Sequence, residues 1–214
     1  MRVVAISDTH SRVPSGGVPD GDVLVHAGDL TERGTLDEIA AAGDWLRSLP
    51  HARKVVIAGN HDFGFEQTPE AARAALGGGF DYLEDSGVVI DSVVFWGAPW
   101  QPWFFDWAFN LPRGAKLAEK WALIPDDTWV LVTHGPPYGI LDRTAEGEFA
   151  GCRDLAERVR LVRPAVHVFG HIHEGAGTIR DGDTLFVNAS ICDLQYAPVN
   201  PARVIDVYPP TRPA

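Results

Sequence analysis

The chain has 214 residues, enough for one domain with a substantial core, and 45% apolar with 22% charged residues is ordinary for a globular protein. A formal net charge of −11 argues against a protein that grips long nucleic acid, which needs a basic face, and no basic amphipathic stretch suits a membrane surface. No run approaches the ~18 apolar residues of a membrane span, and the apolar run after Met1 turns polar at Ser7-Asp8, too early for a signal peptide. A cytoplasmic protein is expected. Cys152 and Cys192 form no CxxC pair, so two buried free thiols are expected.

In chain order, short β-branched runs at 3–6 and 23–25 predict strands. A helix over 35–49 follows, with Thr35 as N-cap, Glu38 completing a capping box, and Leu36, Ile39, Ala40, Gly43 and Leu46 as the inner face. A strand at 55–58 leads to a helix over 69–76, which begins on Pro69 and stops at Gly77-Gly78-Gly79. Strands at 88–90 and 93–96, a helix over 116–123, a strand at 129–132 and a helix over 153–162 ended by Pro164 come next. Strands at 166–169, 184–187 and 204–207 complete the pattern, with Arg180-Asp181-Gly182-Asp183 as a hairpin turn. The early strands are nearly all-apolar and separated by helices, as in a sheet covered on both faces. No repeat or boundary breaks the chain, so one α/β domain over residues 1–214 with two packed sheets is expected.

The chemistry lies where strands end. Strand 3–6 runs into Asp8-Thr9-His10, strand 23–25 into Gly28-Asp29, strand 55–58 into Gly59-Asn60-His61-Asp62, strand 129–132 into His134-Gly135, and strand 166–169 into Gly170-His171-Ile172-His173. Strand carboxyl ends are where open α/β sheets build sites, and adjacent glycines let backbone approach a ligand. Asp8 and His10, like His171 and His173, are two apart and in extended chain share a side. The mixture of carboxylate, carboxamide and imidazole, without thiolate, suits Mn²⁺, Fe, Zn²⁺ or Co²⁺ better than Mg²⁺ or a structural zinc. Seven donors exceed one ion's shell and suit two ions sharing a carboxylate, the arrangement used for in-line displacement at phosphorus.

This order of segments resembles the calcineurin-like metallophosphoesterase superfamily over nearly the whole chain. The stretches Gly97-Ala98-Pro99-Trp100-Gln101-Pro102-Trp103, Phe109-Asn110-Leu111-Pro112-Arg113-Gly114, Thr133-His134-Gly135-Pro136-Pro137 and Val187-Asn188-Ala189-Ser190 resemble its branch of metallophosphoesterase domain-containing proteins, class III phosphodiesterase-like. The resemblance implies a four-layer α/β/β/α sandwich of two mixed sheets flanked by helices. It implies that Asp8, His10 and His173 hold one ion, that Asn60, His134 and His171 hold the other, and that Asp29 bridges them. A hydroxide between the ions would be the nucleophile. His61 would give a hydrogen bond or proton to the leaving oxygen, with Asp62 orienting it. The serine/threonine phosphatases fit less well, since Ala58 stands where they carry Arg, and the superfamily's DNA-repair nucleases add further domains.

The expected activity is therefore metal-dependent hydrolysis of small phosphodiesters, cyclic nucleotides among them, with two Mn²⁺ ions. A phosphomonoesterase and a nucleotide-binding regulator with low turnover are the alternatives. The aromatic stretch Trp96, Trp100, Trp103, Phe104, Phe105, Trp107, Phe109 and Trp121 is foremost a packing element, with Trp100 or Trp103 expected to line a pocket for a base. Arg143 and Arg12 each suit either a phosphate contact or a surface ion pair. His26, His51 and His167 read as structural.

Overall fold

The computed structural model describes residues 1–209. In chain order the elements are β1 (Arg2–Ile6), β2 (Val23–Ala27), α1 (Leu36–Ser48), β3 (Arg53–Ile57), α2 (Phe63–Gln67), α3 (Pro69–Leu76), β4 (Asp81–Tyr82), β5 (Ser86–Ile90), β6 (Val93–Ala98), β7 (Gln101–Pro102) and β8 (Asn110–Leu111). Then come α4 (Ala115–Trp121), β9 (Val130–Thr133), α5 (Arg153–Val162), β10 (Val166–Phe169), a 3₁₀ turn at His173–Gly175, β11 (Gly177–Asp181), β12 (Thr184–Asn188) and β13 (Arg203–Asp206). The predicted elements are present with ends shifted by a few residues. The short α2, β4, β7 and β8 had no periodicity to announce them.

Local chemistry explains the ends. Thr35 accepts from the Glu38 N–H while Glu38 reaches back to the Thr35 N–H, so the capping box of α1 is closed. The buried face of α1 is Ile39, Ala42, Gly43 and Leu46. Leu36 is instead exposed and Ala40 half-buried, because the stripe at i, i+3, i+4, i+7 begins at Ile39. The final turn of α5 closes on Arg163, whose φ of 52° lies in the left-handed region. Pro164 bars Arg163 from continuing the helix. At the other end of α5 the Cys152 sulfur accepts from the Leu155 N–H, and both cysteines are free and buried.

The strands form two large mixed sheets, ordered β13-β1-β2-β3-β4 and β11-β12-β10-β9-β6-β5, with β7 and β8 as a small separate ribbon. Within the first sheet β1, β2, β3 and β4 are parallel and β13 is antiparallel. Within the second, β6, β9, β10 and β12 are parallel, with antiparallel β5 and β11 at the edges. Alternation within each strand sorts side chains to two faces. Val3, Ala5, Val25 and Ile57 meet Phe95, Val132, Val168 and Val187 in a core between the sheets. Val4, Ile6, Leu24 and Val56 point the other way, under α1, α2 and α3. Leu131, Phe169 and Phe186 pack beneath α4 and α5. The result is the expected helix–sheet–sheet–helix layering.

One edge matters most. Past the carboxyl ends of β1 and β12 the two sheets are stitched together: Ser7 N–H donates to Ala189 O at 2.9 Å and Ile191 N–H to Ser7 O at 3.0 Å, while Ala189 N–H continues the β10–β12 ladder to Phe169 O at 2.7 Å. That seam brings the loops after β1, β2 and β3 against those after β9, β10 and β12.

Candidate active site

Each candidate side chain leaves a strand at this seam. Asp8 and His10 follow β1, Asp29 follows β2, Asn60 and His61 follow β3, His134 follows β9, and His171 and His173 follow β10. The backbone turns abruptly there: Asp8 (φ 54°), His10 (45°), Asp29 (54°) and His171 (68°) all lie in the left-handed region. Non-glycine residues are uncommon in that region, and such strain is held only where surroundings over-determine it. Here they do. His171 N–H donates to both Asp8 oxygens, at 3.0 and 3.1 Å, Ser190 Oγ donates to Asp8 Oδ2 at 2.7 Å, and His61 N–H donates to Asp29 Oδ1 at 2.8 Å. Glycine is needed close to the donors: a Cβ at Gly170 would fall on Asp8 Oδ2 and Ser7 Oγ, and one at Gly59 on Asp29 Oδ1.

The donor atoms converge. Those of Asp8, His10 and His173 lie within 4.8 Å of one another, as do those of Asp8, Asp29 and His134; His61 joins His10 and Asp29 in a third group. His173 Nε2 is 3.4 Å from Asp8 Oδ1 and 3.3 Å from His10 Nε2, while His134 Nε2 is 3.4 Å from Asp29 Oδ2 and 2.8 Å from Asn60 Oδ1. His171 enters none of these groups. Its ring stands edge-on to His134, 5.0 Å between centroids, and lines the same cavity.

Three rings have their orientation fixed from behind. The Nδ1–H of His134 donates to Ala27 O at 3.0 Å, that of His173 to Asp193 O at 2.9 Å, and that of His61 to Glu32 O at 2.8 Å. A carbonyl only accepts, so Nδ1 carries the proton and Nε2 faces the site. That is the support a metal-ligating imidazole takes.

The set fits divalent cations. Two carboxylates lie at most 2% exposed, and among the described residues no arginine or lysine is paired to either; buried charge needs a partner. The local field calls for positive charge. Burial pulls the His134 ring down, yet Asp29 raises it to about 9; burial likewise opposes His173, yet Asp8 raises it to about 9. Burial would push Asp8 and Asp29 up, but His173 and His134 respectively hold each well below the usual range. Burial lowers His10 to about 4 and His171 to about 3, leaving both neutral and able to ligate. Three donor separations of 3.3–3.4 Å match the edges of a shell with bonds of about 2.1 Å, which run from about 3.0 to 3.4 Å; His134 to Asn60 at 2.8 Å is shorter and His10 to Asp29 at 3.8 Å longer.

Three expected roles change. Asp62 does not orient His61. Its carboxylate accepts from Leu30 N–H, Thr31 N–H, Thr31 Oγ and Gly59 N–H at 2.6–3.1 Å, and so ties the loop after β2 to the loop after β3. Burial and then Asp29 push Asp62 up to about 6, but four donors and no acceptor keep it an anion. Trp100 lies away from the cavity: its Nε1–H donates to Asp85 at 2.8 Å and Lys120 Nζ sits 4.0 Å over its ring. Arg143 is exposed and bonds Gly147 O within its own loop, while Trp103 is 58% exposed and is not among the residues lining the cavity over the donors.

The cavity over the donors, ≈ 190 Å³, is walled instead by Phe104, Trp107, Leu194 and Tyr196, with Glu174 at its edge. Tyr196 stands edge-on to His10 at 4.7 Å, and Trp107 lies against His61 at 4.3 Å. Trp107 belongs to the aromatic stretch noted in the sequence. Tyr196 is a lone aromatic in a loop, with no local pattern to mark it, and Ser190 gave no sign of its bond to Asp8. His26 and His167 are buried in β2 and β10, each bonded to a threonine hydroxyl at 2.9 and 2.8 Å, and His51 bonds Pro19 O.

A model of the calcineurin-like phosphoesterases matches residues 1–175, the span that holds all seven donors and His61. The chain belongs to that family. Human metallophosphoesterase domain-containing protein 1 is 46% identical across 98% of this chain and 72% of its own length, and the mouse protein of that name matches equally. A UPF0046 protein of Caenorhabditis elegans is 42% identical across 90% of this chain and 70% of its own length. Among solved structures, the phosphopantetheinyl hydrolase of Mycobacterium tuberculosis superposes with a TM-score of 0.62 over 99% of this chain and 98% of that one, at 17% identity, a likeness of fold. Family and donor set together make this a phosphoester hydrolase of the metal-dependent kind. Among the described residues no helix is long and apolar enough to cross a membrane.

Proposed function

We propose that this phosphoesterase hydrolyses small phosphodiesters, cyclic nucleotides among them, at a centre of two divalent ions, with Mn²⁺ the expected metal. The observation that carries the reading is the convergence of buried Asp, Asn and His donors on one cavity with His61 at its rim. Asp8, His10 and His173 would hold one ion, Asn60, His134 and His171 the other, and Asp29 both. When bound, the ions supply a water acidic enough to act as nucleophile near neutral pH and positive charge against the phosphoryl oxygens.

The chain's own groups do the rest. His61, with Nδ1–H fixed on Glu32 O, presents Nε2 to the cavity. From there it gives a hydrogen bond or a proton to the departing oxygen. Asp62 holds the His61 loop in place through the backbone rather than through the ring. Diesters are favoured over monoesters by the walls. Beyond the donor residues the lining is Phe104, Trp107, Leu194, Tyr196 and Glu174, and among the described residues no lysine or arginine lines it to match the second charge of a monoester.

The test is turnover of bis-p-nitrophenyl phosphate and p-nitrophenyl phosphate by metal-stripped protein with and without Mn²⁺. Hydrolysis only with metal, faster on the diester, is expected. A faster monoester would make it a monoesterase. Two bound ions with no hydrolysis of either ester would favour a nucleotide-binding regulator.

A further inference from the structure

A second cavity, ≈ 320 Å³, adjoins the first and is lined by Arg12, Glu32, Arg33, Phe63, His61, Trp107 and Tyr196. Three of these residues, His61, Trp107 and Tyr196, line both cavities, so the wall between them is His61 with an aromatic ring on either side. The two cavities differ in charge. Among the described residues the first offers acidic Glu174 beyond its metal donors and no arginine or lysine; the second holds two guanidinium groups against one carboxylate, in a protein whose net charge is −11.

The two arginines are held differently. Arg12 is anchored: its Nη1 donates to His10 O at 2.8 Å, its Nη2 lies 3.9 Å from Glu32, and its Cζ is 5.6 Å from the Tyr196 ring. Arg33 is exposed, and among the described residues its side chain makes no hydrogen bond or ion pair. A distance of 3.9 Å to Glu32 is a loose pairing, so the cavity keeps uncommitted positive charge. Phe63, Trp107 and Tyr196 add aromatic faces beside it.

In-line displacement fixes where the ester's two ends go. With phosphorus over the donors, the departing oxygen must lie on the His61 side to receive its proton, and whatever is bonded to that oxygen extends past His61. Past His61 is the arginine cavity. We propose that this cavity is the leaving-group subsite, and that it selects esters whose leaving alcohol carries a flat ring and a second anionic group, with Arg12 and Arg33 as specificity residues. The proposal rests on the reading of His61 as the acid toward the leaving oxygen. A volume near 320 Å³ suits one ring with one anion rather than a polymer, and guanidinium is the group best shaped to pair with carboxylate or phosphate.

The experiment uses the Mn²⁺-loaded protein and two esters: methyl 4-nitrophenyl phosphate, and its analogue with a carboxylate on the nitrophenyl ring. The quantity read is the ratio of kcat/KM for the charged ester to that for the uncharged one. The ratio cancels leaving-group acidity when variants are compared with wild type. Arg33→Gln and Arg12→Gln are each expected to lower the ratio about fivefold, the size of a partly exposed charge pair. The Arg33 side chain is exposed and, among the described residues, makes no hydrogen bond or ion pair, so its variant should fold normally. Ratios within about twofold of wild type in both variants, with both esters turned over, overturn the subsite and leave the phosphodiesterase reading intact. Silence of the wild type on both esters overturns the phosphodiesterase reading, and the subsite with it.

Discussion

Ser190 makes a sharp test of how this site is held. Its hydroxyl donates to Asp8 Oδ2 at 2.7 Å, both residues are wholly buried, and the serine sits on the seam where Ser7 pairs with Ser190. Ser190→Ala removes one oxygen and leaves a space too small for a water to stand in. The bonds from His171 N–H to the Asp8 carboxylate remain, so Asp8 is loosened rather than released. A hydrogen bond to a buried carboxylate contributes roughly 1.5–3 kcal/mol, which converts to about 10- to 150-fold, and supporting contacts behind a ligand typically govern about 10- to 100-fold of metal affinity. Mn²⁺ titration of metal-stripped Ser190→Ala by calorimetry should show one site weakened about 10- to 100-fold, and the site built on Asn60 and His134 changed little. Two sites within about twofold of their wild-type affinities would refute the idea that Ser190 positions Asp8.

Other substitutions separate holding the metals from doing chemistry. His61→Ala should lower kcat by about 10²–10⁴-fold with metal content near wild type by elemental analysis; a matching loss of metal would instead make His61 a ligand. Asp29→Asn, which removes a buried charge that His134 and His10 both face, should abolish turnover, and unchanged turnover would defeat the two-metal reading. Gly170→Ala places a methyl on the Asp8 carboxylate and should cost metal binding or the fold itself, read as lost metal content or a lowered Tm. His167, buried in β10 and pushed down to about 3 by burial alone, stays neutral in the native state while the unfolded chain protonates near 6.5. Native stability should therefore fall as pH drops below about 6.5, by up to about 1.4 kcal/mol per unit for this one group. Between pH 7 and pH 5 the wild type should lose about 2 kcal/mol more than His167→Gln in urea unfolding; parallel losses would show that His167 does not set the slope.

Much of the site was legible along the chain. Asp8, His10, Asp29, Asn60, His134, His171 and His173 stand just past apolar runs, and a run that short, closed by polar residues and in four of the five cases by glycine, ends a strand wherever the strand lies. The capping box at Thr35 and the stop at Pro164 are equally local, decided by which backbone donors and dihedral angles those residues supply. What lay beyond the sequence depends on contacts across long separations. The seam that joins the two sheets pairs Ser7 with Ala189 and Ile191, and only that pairing sets the two halves of the donor set face to face. Asp62 follows His61 in the chain, yet its carboxylate turns to Leu30, Thr31 and Gly59 because their N–H groups are the donors within reach after folding. Trp100 and Trp107 sit in one aromatic stretch of like composition. Asp85 and Lys120 take the first into packing, and His61 takes the second into the cavity. Residue type and spacing determined which atoms could bind metal; tertiary hydrogen bonds decided which of them meet, which way each ring faces, and what walls the space in front of them.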